Sequence, residues 1–88
     1  MSWIKVYVKV RIRTTVEGVM IPKCIYWEDG KRFKIDKVID IKHTAAVNVG
    51  GCGDRFTIQI NGKETYLFYE RIPSGNNIGR WFVERKGA

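Results

Sequence analysis

The amino-acid sequence predicts an all-β fold: a small, partly open β-barrel or β-roll, SH3-like, of five to six antiparallel strands with two tight hairpins. Three observations predict it. Residues 3–13 alternate apolar and polar side chains with almost no error, and period two over that length means a half-buried strand. Asp29-Gly30 and Asn61-Gly62 are the pairs that two-residue hairpin turns demand, because both central positions take φ > 0. No stretch carries a helical repeat of useful length, so the sheet has to hide its apolar face by closing or folding over itself.

In the first strand Ile4, Val6, Val8, Val10 and Ile12 face one way, and Trp3, Lys5, Tyr7, Lys9, Arg11 and Arg13 face the other. At ~3.3 Å per residue it would span roughly 36 Å, more than a small domain needs, so it is expected to bend sharply or fray at one end. Residues 14–18 read as a turn and 19–27 as a second strand, in which Pro22 asks for an edge, a bulge or a late start to regular pairing. A two-residue loop at Asp29-Gly30 pairs Tyr26 with Phe33 and Cys24 with Ile35 on an apolar face. Trp27, Arg32, Ile25 and Lys34 then share the opposite face. Along 31–41 the alternation slips, since Val38 follows Ile35 by three residues. One inserted residue near Asp36-Lys37 would restore it, as a β-bulge does when a strand passes from one half of a sheet to the other.

Residues 43–54 are the least decided. Thr44-Ala45-Ala46-Val47-Asn48 fits one helical turn or a strand end, and Gly50-Gly51-Cys52-Gly53-Asp54 reads as a flexible turn. Strands 55–60 and 63–70 form the second hairpin, with Phe56/Leu67, Ile58/Thr65 and Ile60/Lys63 on one face. Arg55/Phe68, Thr57/Tyr66 and Gln59/Glu64 lie on the other. Residues 71–79 are a loop rich in turn formers, 80–84 a short closing strand, and the last four residues are expected to fray.

A chain of 88 residues builds one domain, 1–88, with a small core. A hydrophobic fraction of 44% excludes a wholly disordered chain. Sixteen Lys and Arg against nine Asp and Glu leave +7, ten against five falling in residues 1–43 and six against four in 44–88. That balance favours an acidic partner: nucleic acid, an anionic membrane surface or an acidic protein. Excess lysine also simply keeps small proteins dispersed, and cations on a strand guard an edge from aggregation. Charges interrupt the first ten residues, so no signal peptide is expected, and no stretch reaches transmembrane length, so no membrane insertion is expected. Cys24 and Cys52 alone make no disulfide framework, which points to a reduced, cytoplasmic protein.

Cys24, His43 and Cys52 are the soft zinc ligands of the chain, and their spacings of nineteen and nine match no standard zinc site even with Asp54 as a fourth. Cys24 is more simply a core residue. Cys52 with His43 as base is a chance pairing without an orienting third group. Gly50-Gly51-Cys52-Gly53 lacks the Lys-Ser/Thr of a phosphate loop and precedes a strand, so no helix N-terminus stands ready for an anion. The chain is therefore expected to be no enzyme and to need no cofactor or metal.

Trp27-Glu-Asp-Gly30, Phe33-Lys-Ile-Asp-Lys-Val38, Gly51-x-Gly53-Asp-Arg-Phe-Thr-Ile58, Glu64-Thr-Tyr-Leu-Phe-Tyr-Glu70 and Arg80-Trp-Phe-Val-Glu84 together resemble a group of small uncharacterised bacterial and phage proteins. The likeness covers roughly residues 19–85. It implies a compact β domain of bacterial or phage origin and carries over no site residue, activity or cofactor.

What the residues themselves suggest is a basic, aromatic strand face. Trp27, Arg32, Lys34, Tyr7, Lys9, Arg11, Arg13, Tyr66, Phe68 and Arg55 fall outside the apolar parities, with Trp3 and Lys5 beside them. Small barrels that bind single-stranded DNA or RNA use this mixture, rings to stack on bases and cations to neutralise phosphate. The alternative is an adaptor or inhibitor that docks on an acidic protein, since exposed aromatics and arginine also make protein hot spots. The nucleic-acid expectation has one condition: the rings and cations must lie in one patch.

Overall fold

The alternating segments become seven antiparallel strands in the computed structural model, which describes residues 3–45, 52–71 and 79–87. They are β1 (Trp3–Thr14), β2 (Met20–Tyr26), β3 (Arg32–Lys34), β4 (Lys37–Ala45), β5 (Cys52–Ile60), β6 (Lys63–Arg71) and β7 (Gly79–Lys86). The sheet runs β3-β2-β1-β7-β6-β5-β4 and curls into an open half-barrel. The all-β class is as the sequence predicts. The strand count is one higher than six because the 31–41 segment divides.

That division makes the curl. Ile35 donates its backbone N–H to Lys23 on β2 at 3.0 Å, and the next residue, Asp36, donates to Gln59 on β5 at 2.8 Å. Consecutive amides thus bond to opposite ends of the sheet, and the two edge strands meet at this corner. The inserted residue lies further on: Ile39 is skipped between the pairs Val38–Ile58 and Asp40–Thr57. A corner and a bulge do the work expected of one bulge at 36–37.

β1 neither frays nor wastes its length. Residues 3–8 pair with β7 and residues 9–14 with β2, so its two halves serve different neighbours. Pro22 sits where the β1–β2 register shifts, opposite Ile12 with Lys23 left over. A bulge tolerates a residue with no N–H to give, and the Pro22 side chain is fully buried.

The two hairpins depart from each other. At Asn61-Gly62 the loop has two residues, with φ of 51° and 78°, and the β5–β6 register is the expected one throughout. At the first hairpin Trp27 N–H donates to Lys31 at 2.8 Å and Gly30 N–H to Trp27 at 3.0 Å. The loop is therefore three residues, Glu28-Asp29-Gly30, with Gly30 at φ 88° supplying the left-handed position such loops close on. Asp29 Oδ1 accepts from Lys31 N–H at 2.9 Å and secures the turn. The pairs become Tyr26–Arg32, Ile25–Phe33 and Cys24–Lys34. A slip of one residue exchanges the faces of a strand, and that correction governs the site below. The physical reason is burial: the three-residue loop puts Ile25 and Ile35 into the core.

Two smaller expectations also change. Cys52, Gly53 and Asp54 belong to β5, paired with Ala45, Thr44 and His43, and are not turn residues. Arg85 and Lys86 pair with Ile4 and Trp3 and do not fray. The remaining expectations for 46–51 and 72–78 lie outside the described residues.

One face of the sheet carries the core. Ile25, Ile35, Phe56, Ile58, Leu67 and Trp81 form its buried cluster, with Val8, Val10, Trp27, Val38, Ile41 and Tyr69 packed against it. Trp81 holds the centre, its ring 5.0 Å from Phe56 and 4.9 Å from Tyr69. The other face, hereafter the outer face, holds the chemistry.

Candidate nucleic-acid interface

Cross-strand pairing decides which outer residues are neighbours. Tyr7 on β1 pairs with Phe82 on β7, Phe82 with Phe68 on β6, Phe68 with Arg55 on β5, and Arg55 with Lys42 on β4. Directly opposed residues point to the same side, so these five make one line across five strands. Tyr66 stands two residues from Phe68 on the same face, paired with Thr57.

The rings touch in sequence. Tyr7 meets Phe82 edge-on at 5.7 Å, Phe82 stacks on Phe68 at 4.9 Å and 7°, and Phe68 lies 6.4 Å from Tyr66. Each such contact is worth about 0.5–1.5 kcal/mol beyond the area it buries. Cations cap the rings: Lys5 is 4.8 Å from the Phe82 centroid, Arg80 4.3 Å from Tyr7 and Arg55 4.7 Å from Tyr66. Phe82 is nearly covered at 7% exposure, whereas Tyr7 and Tyr66 remain 45% and 49% exposed. The line therefore has a buried middle and open ends.

Glu70 orders one end. Its carboxylate accepts from Lys5 at 3.0 Å, Arg80 at 2.9 Å and the Tyr7 hydroxyl at 3.2 Å. The Lys5 hydrogen bond holds the Glu70 carboxyl below its usual value; burial opposes it, and the bonds from Arg80 and Tyr7 add to it. A carboxyl with a lowered folded-state pKa contributes stability that is present above its unfolded pKa, 4.5, and lost as pH falls through the folded value. Wild type is thus expected to exceed Glu70→Gln in stability most at neutral pH, the gap closing on acidification below about pH 4.5. Urea titrations at a series of pH values measure it, and a gap independent of pH would contradict the assignment.

The second half of the face is basic. On one rung Lys9 pairs with Tyr26 and Tyr26 with Arg32; on the next, Arg11 pairs with Cys24 and Cys24 with Lys34. Lys9 Nζ lies 5.7 Å from the Tyr26 ring. Arg11, Cys24, Tyr26, Arg32 and Lys34 line a cleft of about 480 Å³. Arg13, exposed, continues the same parity along β1. Lys5, Arg80 and Arg71 are tied to carboxylates, but among the described residues Lys9, Arg11, Arg13, Arg32, Lys34 and Arg55 form no salt bridge. Tyr7 and Lys9, two residues apart on β1 and about 6.6 Å distant, join the aromatic half to the basic one.

Nine of the ten residues singled out in the sequence lie on this face. Trp27 does not. The three-residue loop turns it to the core side, half-buried and edge-on to Phe33 at 6.5 Å, and Tyr26 takes the place expected for it. Cys24 is buried as expected, though in the floor of the basic cleft, where its Sγ–H reaches only Ile25 O at 3.9 Å. Lys5, Tyr26, Lys42, Glu70, Arg80 and Phe82 complete the face and were not among those ten. The alternation of Arg80, Phe82 and Glu84 against Trp81 and Val83 was the available signal; which parity faces out required the pairing partner.

A second polar cluster lies on the core side. His43 Nδ1–H donates to Asp54 Oδ1 at 2.5 Å, and Arg71 donates to Oδ2 at 3.2 Å. Asp54 is buried, so the two donors compensate a carboxylate that would otherwise be costly to desolvate. It is also the orienting group for His43 that spacing alone left unseen. Cys24 and His43 sit on opposite faces of the sheet, and among the described residues no three His, Cys, Asp or Glu side chains converge to hold a metal. No helix of the described residues is long and apolar enough to cross a membrane.

Fold and face define a small all-β half-barrel whose outer side joins an aromatic row to a basic cleft. Comparison with protein-family models, with curated proteins and with solved structures finds no match to the chain.

Proposed function

We propose that this chain is a non-enzymatic module that binds single-stranded nucleic acid across its outer face. The observation that carries the reading is the line Tyr7-Phe82-Phe68-Arg55-Lys42, rings and cations opposed directly across five strands. Tyr7 and Tyr66, about half exposed and each beside an arginine, offer rings that a base can stack on, and stacking is worth about 1–3 kcal/mol per base. Arg55 and Lys42 are like charges set directly opposite each other, an arrangement that destabilises a sheet and that a bridging phosphate relieves. The cations Lys9, Arg11, Arg13, Arg32 and Lys34, which form no salt bridge among the described residues, extend the phosphate track.

The test is fluorescence anisotropy of end-labelled DNA and RNA single strands at two salt concentrations. Tryptophan emission is a poor probe here, because Trp27 and Trp81 face the core and their emission dilutes any change at the exposed Trp3. Neutralising about four phosphates gives a slope of log K against log salt near −2.8. Fourfold more salt should then weaken binding about fifty-fold. Absence of binding to every strand at low salt would overturn the reading and leave an acidic protein as the partner the face fits.

A further inference from the structure

We infer that the cleft between β1, β2 and β3 receives a phosphate monoester, either the phosphorylated end of a nucleic-acid strand or a free nucleotide. This rests on the nucleic-acid reading of the outer face and names what its basic half takes. Two consecutive rungs, Lys9–Tyr26–Arg32 and Arg11–Cys24–Lys34, set four cations around one ring with no acid among them. The aromatic half of the face is compensated differently: Glu70 ties down both Lys5 and Arg80. In the cleft no described carboxylate performs that task, and concentrated like charge costs stability unless an anion answers it.

The middle strand gives the cleft its depth. Cys24 is short, so the space between Arg11 and Lys34 stays open above its buried thiol. Tyr26 walls the neighbouring rung, half-buried and available as a stacking surface for a base. The volume of about 480 Å³ exceeds what a bare phosphate fills and lies within the range of small-molecule sites, about 300–1,000 Å³. Charge selects the form of phosphate. A monoester carries about −1.5 to −2 at pH 7, whereas each phosphate inside a strand carries a single negative charge. Arg11 and Arg32 can each present two parallel N–H donors to the same group. Arg32 and Lys34 are exposed on a three-residue edge strand, where they contribute little to the core.

The experiment compares oligonucleotides identical except for a terminal phosphate or hydroxyl, each with its label at the opposite end, and adds adenosine monophosphate and inorganic phosphate as competitors. Wild type, the double variant Arg32→Glu/Lys34→Glu and Tyr66→Ala are measured side by side. The phosphorylated strand is expected to bind about tenfold more tightly or better, since charge-assisted hydrogen bonds decide the difference. The double variant should lose that preference. Backbone amide NMR shifts on titrating wild type with adenosine monophosphate should be largest at Cys24, Tyr26 and Arg32, a readout that needs no variant to fold. A nucleotide binding as tightly as the strand assigns the cleft to free nucleotides; a tighter strand assigns it to strand ends. Equal affinity for both termini, with Tyr66→Ala still weakening both, overturns the cleft and leaves the interface standing. A terminal-phosphate preference, with the affinity of both strands unchanged by Tyr66→Ala, upholds the cleft and removes the aromatic row.

Discussion

Phe56→Ala is expected to destabilise the fold by about 3–5 kcal/mol, the usual cost of emptying a buried aromatic site. Phe56 is 2% exposed and packs its ring 5.0 Å from that of Trp81. On β5 it pairs with Ile41 on one side and Leu67 on the other. Strand ladders hold both neighbours in place, so the walls cannot collapse into the space, and the cavity term stays in full. At about 0.05–0.15 kcal/mol per residue, a chain of 88 residues has roughly 4–13 kcal/mol in all. One side chain therefore carries about a quarter or more of the stability. Urea unfolding followed by circular dichroism should show a lower midpoint with an unchanged slope. A loss below about 1 kcal/mol would mean that the core does not centre on the Phe56–Trp81 pair.

Tyr66→Ala should weaken single-stranded nucleic acid by about 1–3 kcal/mol, or roughly five- to 150-fold. Tyr66 is the most exposed ring of the row, so it is the ring a base reaches most readily. Arg55 lies over the same ring at 4.7 Å; removing the ring frees the guanidinium to wander and takes away a phosphate contact as well. The fold should lose no more than about 1 kcal/mol, the span of strand propensities at a surface site. Tyr66→Phe separates stacking from the hydroxyl, and it is expected to bind as wild type does. If Tyr66→Ala matches wild type in anisotropy titrations while its unfolding midpoint is preserved, the row is not where bases stack.

Much of this molecule was legible in the chain itself. The eleven-residue alternation from Trp3 defined β1 and both its faces, and Asn61-Gly62 specified a hairpin whose register was right to the residue. Both succeed for a local reason: side-chain period and turn chemistry are properties of a few adjacent residues. Asp29-Gly30 shows where local chemistry stops. The same dipeptide class closes two-residue and three-residue loops, and the choice moved Trp27 to the core and Tyr26 to the surface. Ile25 and Ile35 made that choice by burial against β5 and β7, strands that begin only at Cys52 and Gly79.

The candidate site divides along the same line. Cations and rings at Tyr7, Lys9 and Arg11 were identifiable because the alternation of β1 marks them as outward, and Tyr66 and Phe68 because the Asn61-Gly62 turn fixes their partners on β5. Phe82, Arg80 and Glu70 were not, since a short strand and a buried acid acquire meaning only beside their partners. By itself the sequence determined that the chain is all-β, that it carries a surplus of positive charge, and which residues of each strand share a side. Tertiary structure alone decided which of those sides lie next to one another. Period two says nothing about the neighbour, and one residue more or less in a loop exchanges a strand's two faces.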